Sequence, residues 1–161
     1  MLSCDYVVGL TEGEGCFSVS LRKPNLKYGS RHWRVDLRFS IKLREDDKEL
    51  LEQVREFFGK GYLYFQKEKR KNHSHCWRFE ISGLKNLEAV LIPFFEMHPL
   101  RGKKQKDFEI FKEIARLVKK KFHHTSKGIK LIKRLKKEMH KGGSLGAGNP
   151  HAQWERNINQ E

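Results

Sequence analysis

Two carboxylates set among glycines are the residues of this chain best spaced for chemistry. Glu12 and Glu14 stand between Gly9, Gly13 and Gly15 in the run Tyr6-Val7-Val8-Gly9-Leu10-Thr11-Glu12-Gly13-Glu14-Gly15-Cys16-Phe17. A carboxylate at a helix end could hold a metal ion through its oxygens. Tyr6, Val7, Val8 and Leu10 read as an apolar helical turn, and Gly9 and Gly13, four apart, share one face of it. Each glycine costs a helix about 1 kcal/mol relative to alanine. Two of them on one face therefore predict close backbone approach by another helix, with Glu14 at the end of that contact.

The elements that must position these acids follow from composition and periodicity. At 161 residues the chain is one domain, long enough to bury a core. Its net charge of +14 asks for a polyanion. Residues 101–141 hold 16 of the Lys and Arg against Asp107, Glu109, Glu113 and Glu138. About half of those lysines are read as a solvated helical face and the rest as phosphate contacts. No apolar run approaches the ~18 residues of a membrane span. Asp5, Glu12 and Glu14 interrupt the N-terminal apolar stretch, so no signal peptide is expected. Nucleic acid is then the better partner than a membrane. Cys4, Cys16 and Cys76 form no C-x-x-C pair and leave one unpaired, which suits a reducing interior. The expectation is an intracellular, unsecreted protein of a prokaryotic cytoplasm or of an organelle that encodes it.

After the glycine-acid run, Phe17, Val19 and Leu21 alternate with Ser18, Ser20 and Arg22, the period of a strand. A loop from Lys23 to Arg31 leads to a second strand with Trp33, Val35, Leu37, Phe39 and Ile41 on one face. A helix from about Asp46 carries Leu50, Leu51, Val54, Phe57 and Phe58 and stops at Gly59. The pattern repeats: Leu63 and Phe65 alternate in a third strand, and Trp77, Phe79 and Ile81 in a fourth. Ser82 is then the expected cap of a helix disturbed or ended near Pro93. Helices from about Lys103 to Lys121 and Ile129 to His140 complete residues 1–141, and the Gly-rich remainder, 142–161, reads as a flexible tail. The sum is an α+β fold, α-ββα-ββα, with a four-stranded antiparallel sheet and C-terminal helices.

Helices on one side of such a sheet leave the other face polar. That face would carry Ser18, Ser20, Arg22, Arg34, Asp36, Arg38, Ser40, Lys42, Tyr62, Tyr64, Gln66, Arg78 and Glu80. The set suits a DNA major groove: arginines for guanine, Gln66 for adenine, Asp36 and Glu80 for cytosine, serines as adaptable partners. An ordinary solvated sheet face would look alike, and only the acids and the charge tip the balance.

Val7 to Gly15 resembles, without gaps, the motif of the LAGLIDADG homing endonucleases, with glutamate at both places where aspartate is usual. The resemblance implies the same α-ββα-ββα topology and a site-specific, metal-dependent DNA endonuclease serving intron- or intein-type mobility. It implies Glu14 as metal ligand and catalytic acid, with the Gly13 carbonyl as a second oxygen and Glu12 in a structural role. Mg²⁺ is the implied cofactor, with Mn²⁺ substituting and Ca²⁺ binding without supporting cleavage. A catalytic lysine is implied in Leu100 to Phe108, where Lys103 and Lys104 both qualify. A water-positioning group is implied near Lys42, Leu43 and Arg44; some relatives have glutamine where Leu43 stands. One motif implies a homodimer packed through Val8, Gly9, Glu12 and Gly13, and so a near-palindromic site on double-stranded DNA.

The competing class is binding without cleavage: a splicing maturase that takes intron RNA, or a DNA-binding regulator on the same fold. A degenerate regulator would be expected to lose the acid, and Glu14 is present. His73, His75 and Cys76 lack a second cluster at zinc-ligand spacing.

Overall fold

The structure is a computed structural model and describes residues 1–141, so the expected tail lies outside the described residues. Helix α1 (Cys4–Glu14) leads into strand β1 (Gly15–Arg22), and β2 (Arg34–Arg44) returns beside it. Helix α2 (Lys48–Phe58) and strands β3 (Tyr62–Gln66) and β4 (Cys76–Ser82) follow. Then come α3 (Leu84–Asn86), a π turn (Leu87–Leu91), α4 (Ile92–Met97), α5 (Lys104–Lys119) and α6 (Ser126–Glu138). The sheet is antiparallel throughout, in the order β1-β2-β4-β3. The expected topology is the observed one.

The strands form where β-branched and aromatic residues alternate with polar ones, and register keeps each class on its own face. Gly15, Ile41, Phe79 and Leu63 make one cross-strand row of the apolar face, and Phe17, Phe39 and Ile81 the next. α2 lays Leu51, Val54 and Phe58 on that face, and α5 adds Phe108, Phe111 and Ile114. Phe17 sits among Phe39, Phe95, Phe108 and Phe111, with ring centroids 5.2 to 5.6 Å apart. Truncating so enclosed a ring would cost about 3–5 kcal/mol. α2 ends as its sequence demands: Gly59 takes φ +62, and its N–H meets the carbonyls of Arg55 and Glu56.

Two local expectations are corrected, and a third is met in one of its two forms. Trp33 precedes β2, and its ring lies under the Lys133 ammonium, 4.1 Å from the centroid; this cation–π contact with α6 takes it out of the strand. Ser82 ends β4 and does not cap a helix; Gly83, at φ +82, opens α3 with no side-chain bond. Pro93 disturbs its helix, as expected, without ending it. The preceding turn widens so that the Ile92 N–H reaches Leu87 O, five residues back, and the helix continues to Met97. Among the described residues, no helix is long and apolar enough to cross a membrane.

Candidate active site and nucleic-acid interface

The glycine-acid run folds as a helix that becomes a strand with no linker: Glu14 is the last residue of α1 and Gly15 the first of β1. The Gly15 N–H bonds Thr11 O, and a Cβ there would lie 2.6 Å from Thr11 Cγ2 and 2.8 Å from Thr11 O. Only glycine makes this junction. Val7 and Thr11 are wholly buried beneath it. Glu14 is exposed, and its carboxylate has no hydrogen-bond or ion-pair partner among the described residues.

Cations gather at this end of the sheet. Gly15 pairs with Ile41, so Lys42 is the residue of β2 just past that pair, and Arg78 is opposite Lys42. Lys104 reaches from the start of α5 to the C-terminal end of α1, donating to Thr11 O at 3.0 Å and Glu12 O at 2.7 Å. An ammonium on these carbonyls also meets the negative end of the helix dipole. Burial raises the pKa of the Cys16 thiol, while Arg78 and Lys104 pull it back down, so both cations act on the residue two beyond Glu14. Lys103 is exposed at the N-cap of α5.

Glu12 faces elsewhere. Its carboxylate accepts the N–H groups of Arg101 and Gly102, the latter at 2.7 Å. A Cβ on Gly102 would sit 2.7 Å from Glu12 Oε2, so that glycine makes room for the carboxylate. Glu12 thus ties the motif helix to the segment carrying Lys103 and Lys104. Asp5, Val8, Gly9 and Glu12 line one side of an open groove of about 690 Å³, with Met97 to Arg101 on the other. A Cβ on Gly9 or Gly13 would meet nothing within 4 Å. Among the described residues, nothing requires glycine at either position.

The polar face of the sheet holds every residue expected on it. Arg22 is opposite Arg34, Ser20 opposite Asp36, and Ser18 opposite Arg38. Ser40 is opposite Glu80, which is opposite Tyr62; Tyr64 is opposite Arg78. Ser40 is only 7% exposed and lies beneath its neighbours. Both acids are engaged within the face. Arg22 Nε donates to Asp36 Oδ2 at 2.8 Å, and Arg34 approaches Asp36 at 3.8 Å. Glu80 accepts from the Tyr64 hydroxyl at 2.9 Å and lies 3.9 Å from Arg38. Burial and that bond raise the pKa of Tyr64 and keep it a donor. Arg78 donates to Gln66 at 3.3 Å.

Sequence reasoning left Cys16 and Ser82 off this face, where the same period-two alternation puts them beside Arg44. It also passed over a stack beside the face, where no local pattern signals the contact. His32, at the base of the β1–β2 loop, lies on His124 with centroids 4.2 Å apart, and His123 packs edge-on at 4.3 Å. Burial lowers the pKa of both His123 and His124. His75 accepts the Glu68 N–H through Nδ1 at 3.0 Å.

Residues 7–115 match the family model described as LAGLIDADG endonuclease. The chain is 34% identical over 133 residues to a Neurospora crassa protein named "Probable intron-encoded endonuclease 2", covering 81% of this chain and 28% of that protein. It is 28% identical over 120 residues to a Podospora anserina "Uncharacterized 50.9 kDa protein in ND4 intron 1", covering 74% and 25%. The chain thus spans about a quarter of the length of these curated relatives. Among solved structures, the homing endonuclease I-TnaI superposes with a TM-score of 0.74 at 31% identity, over 98% of this chain and 97% of that one. The I-LtrWI LAGLIDADG homing endonuclease bound to target DNA superposes with a TM-score of 0.73 at 35% identity, over 87% of this chain and 45% of that one. A motif, a sheet and a family match that coincide residue for residue leave one assignment: the chain belongs to the LAGLIDADG endonuclease family.

Proposed function

We propose that two copies of this fold, packed through α1, form a site-specific endonuclease that cuts both strands of a near-palindromic DNA duplex, in intron- or intein-type mobility. The observation that carries the reading is Glu14: an exposed carboxylate with no partner among the described residues, at the end of α1 where Lys104 bonds the Thr11 and Glu12 carbonyls. An uncommitted carboxylate at the end of a helix anchored by buried Val7 and Thr11 fits a hard divalent cation. Mg²⁺ held by Glu14, with the Gly13 carbonyl as a second oxygen, would supply the water activation and charge neutralisation that phosphodiester hydrolysis requires. Mn²⁺ would replace it, and Ca²⁺ would bind without supporting cleavage. A relative, I-SmaMI, was solved on uncleaved DNA in the presence of calcium ions, which supports that division.

The chain's own residues do the rest. Lys104 closes the end of α1 and so fixes where Glu14 stands, while offering positive charge to a phosphate drawn to that point. Lys103, Lys42 and Arg44 add cations at the same end of the sheet, and one of them orients the attacking water. Arg22, Arg34, Arg38 and Arg78 meet base edges, with Gln66, Ser18, Ser20, Tyr62 and Tyr64 beside them. One Glu14 serves one strand. The open face of Gly9 and Gly13 supports a second copy there, and the groove lined by Val8 and Glu12 supports the same. The end-to-end match with I-TnaI supports a one-motif unit, and the DNA-bound I-LtrWI supports duplex DNA as the ligand.

The test is selection from a randomised duplex library, with Mg²⁺ and with Ca²⁺, by the wild type and by Glu14→Gln. The wild type should cut a near-palindromic site only with Mg²⁺, and Glu14→Gln should select the same site uncut. If neither cuts while both select a sequence, the protein is a binder and intron RNA becomes the next ligand to assay.

A further inference from the structure

The outer end of the sheet holds an arrangement that a merely solvated face would avoid. Arg22 of β1 and Arg34 of β2 are directly opposite each other in the register. Like charges in that relation repel. Asp36 is two residues beyond Arg34 on the same face and diagonal to Arg22; its carboxylate bonds the Arg22 guanidinium and lies 3.8 Å from that of Arg34. Arg22 meets it side-on, with Nε at 2.8 Å and Nη2 on the same Oδ2. A guanidinium has five N–H donors. The side-on contact uses the Nε–H and one Nη2–H, leaving the Nη1 hydrogens and the other Nη2–H on the far end of the fork. That end is the pair of nitrogens that spans O6 and N7 of guanine. The acid is also the most covered of the three, at 24% exposed against 44% for Arg22 and 62% for Arg34. A base edge approaching the sheet therefore meets the guanidinium groups first.

We propose that Asp36 does not read a base but is a positioning residue: it aims Arg22 and Arg34 at two guanines toward the outer end of each half-site and so sets the specificity there. This replaces the expectation that Asp36 accepts from cytosine. It rests on the DNA-binding reading above and adds which residue fixes the arginines. Without the carboxylate, two opposed arginines would splay apart and retain their attraction for phosphate, losing base discrimination before affinity.

The experiment is binding selection on a randomised duplex in Ca²⁺, so that cleavage plays no part. It compares the wild type with Arg22→Ala, Arg34→Ala, Asp36→Asn, Asp36→Glu and Asp36→Asn/Arg22→Ala. The two arginine variants identify the positions each arginine reads. Asp36→Asn should lower the guanine preference at both of those positions by about tenfold, the scale of one good bidentate contact. It should create no new preference and leave unchanged the positions read by Arg38 and Arg78. Asp36→Glu should recover part of the loss. At the Arg22 position the double variant should equal Arg22→Ala, because the acid acts only through the arginine. Two results would overturn the proposal: a single base pair switching from cytosine to another base with both guanines intact, or an Asp36→Asn profile identical to the wild type. If the wild type selects no sequence at all, the DNA-binding reading falls first and this proposal with it.

Discussion

Replacing Gly9 by alanine should push the fold and the assembly in opposite directions, and both magnitudes follow from the space around that residue. Gly9 lies within α1, and a Cβ there meets nothing within 4 Å among the described residues. The isolated protomer should gain helix propensity and lose no contact, a stabilisation of about 0.8–1 kcal/mol. For a chain of this size that raises Tm by roughly 2–4 °C. In the proposed two-copy assembly, the same methyl group would enter a helix–helix contact drawn close by the bare backbone. Overpacking costs about 1–3 kcal/mol at each site. Two-fold symmetry introduces the substitution twice, so Kd should rise by about thirtyfold or more. Sedimentation velocity over a concentration series reads Kd, and calorimetry at a concentration where protomers dominate reads Tm. Double-strand cleavage should fall toward single-strand nicking. A Gly9→Ala protein with self-association and double-strand cleavage within twofold of wild type would refute packing through this face. A lower protomer Tm would show that the methyl group is not in open space.

Lys104→Met should destabilise the fold by about 2 kcal/mol, because two carbonyls at the end of α1 lose a charged donor, and cleavage should fall with it. Urea denaturation reads the first, and a change below about 0.3 kcal/mol would show that the ammonium does not hold the helix end. The pKa values of His123 and His124 lie below the ordinary 6.5, chiefly through burial, with His32 and Lys121 adding positive charge beside them. The folded state therefore binds fewer protons than the unfolded one as the solution acidifies. Their stabilising share is complete above about pH 6.5 and is lost as pH falls from there through the lowered values. Tm should decline across that window, and His124→Asn should flatten the decline; an equal decline in the variant would exclude the imidazole stack as its source.

What the sequence revealed and what it hid divide along the range of the interactions. β2 was legible because Val35, Leu37, Phe39 and Ile41 face a continuous core, so its period survives any tertiary detail. Gly59 was legible because a left-handed helix stop is a local requirement. Trp33 misled because its partner, Lys133, is a hundred residues away, and such a contact leaves no local trace. The structural role of Glu12 was expected from the resemblance, but its partners were hidden for the same reason: they are the backbone N–H groups of Arg101 and Gly102, and an N–H has no letter in a sequence. Alternation placed Asp36, Glu80 and Ser40 on the correct face. It could not say that the two acids are occupied by arginines and tyrosine, or that Ser40 is covered, because those depend on rotamers and cross-strand diagonals.

The junction at Gly15 makes the molecule a ruler. With no linker between Glu14 and β1, the acid and the side chains of that strand form one rigid body, and distance along it is counted in residues. At about 3.3 Å per residue, Arg22 lies roughly 26 Å from Glu14. Under the proposed function, side chains on the sheet could be exchanged to alter the bases recognised while the cut stays in register with the recognised sequence. Inserting one residue after Gly15 would turn the outward row of β1 toward the core, because neighbouring strand residues face opposite ways. Evolution of new targets on this scaffold is thereby channelled into substitutions on the sheet and away from insertions at its root.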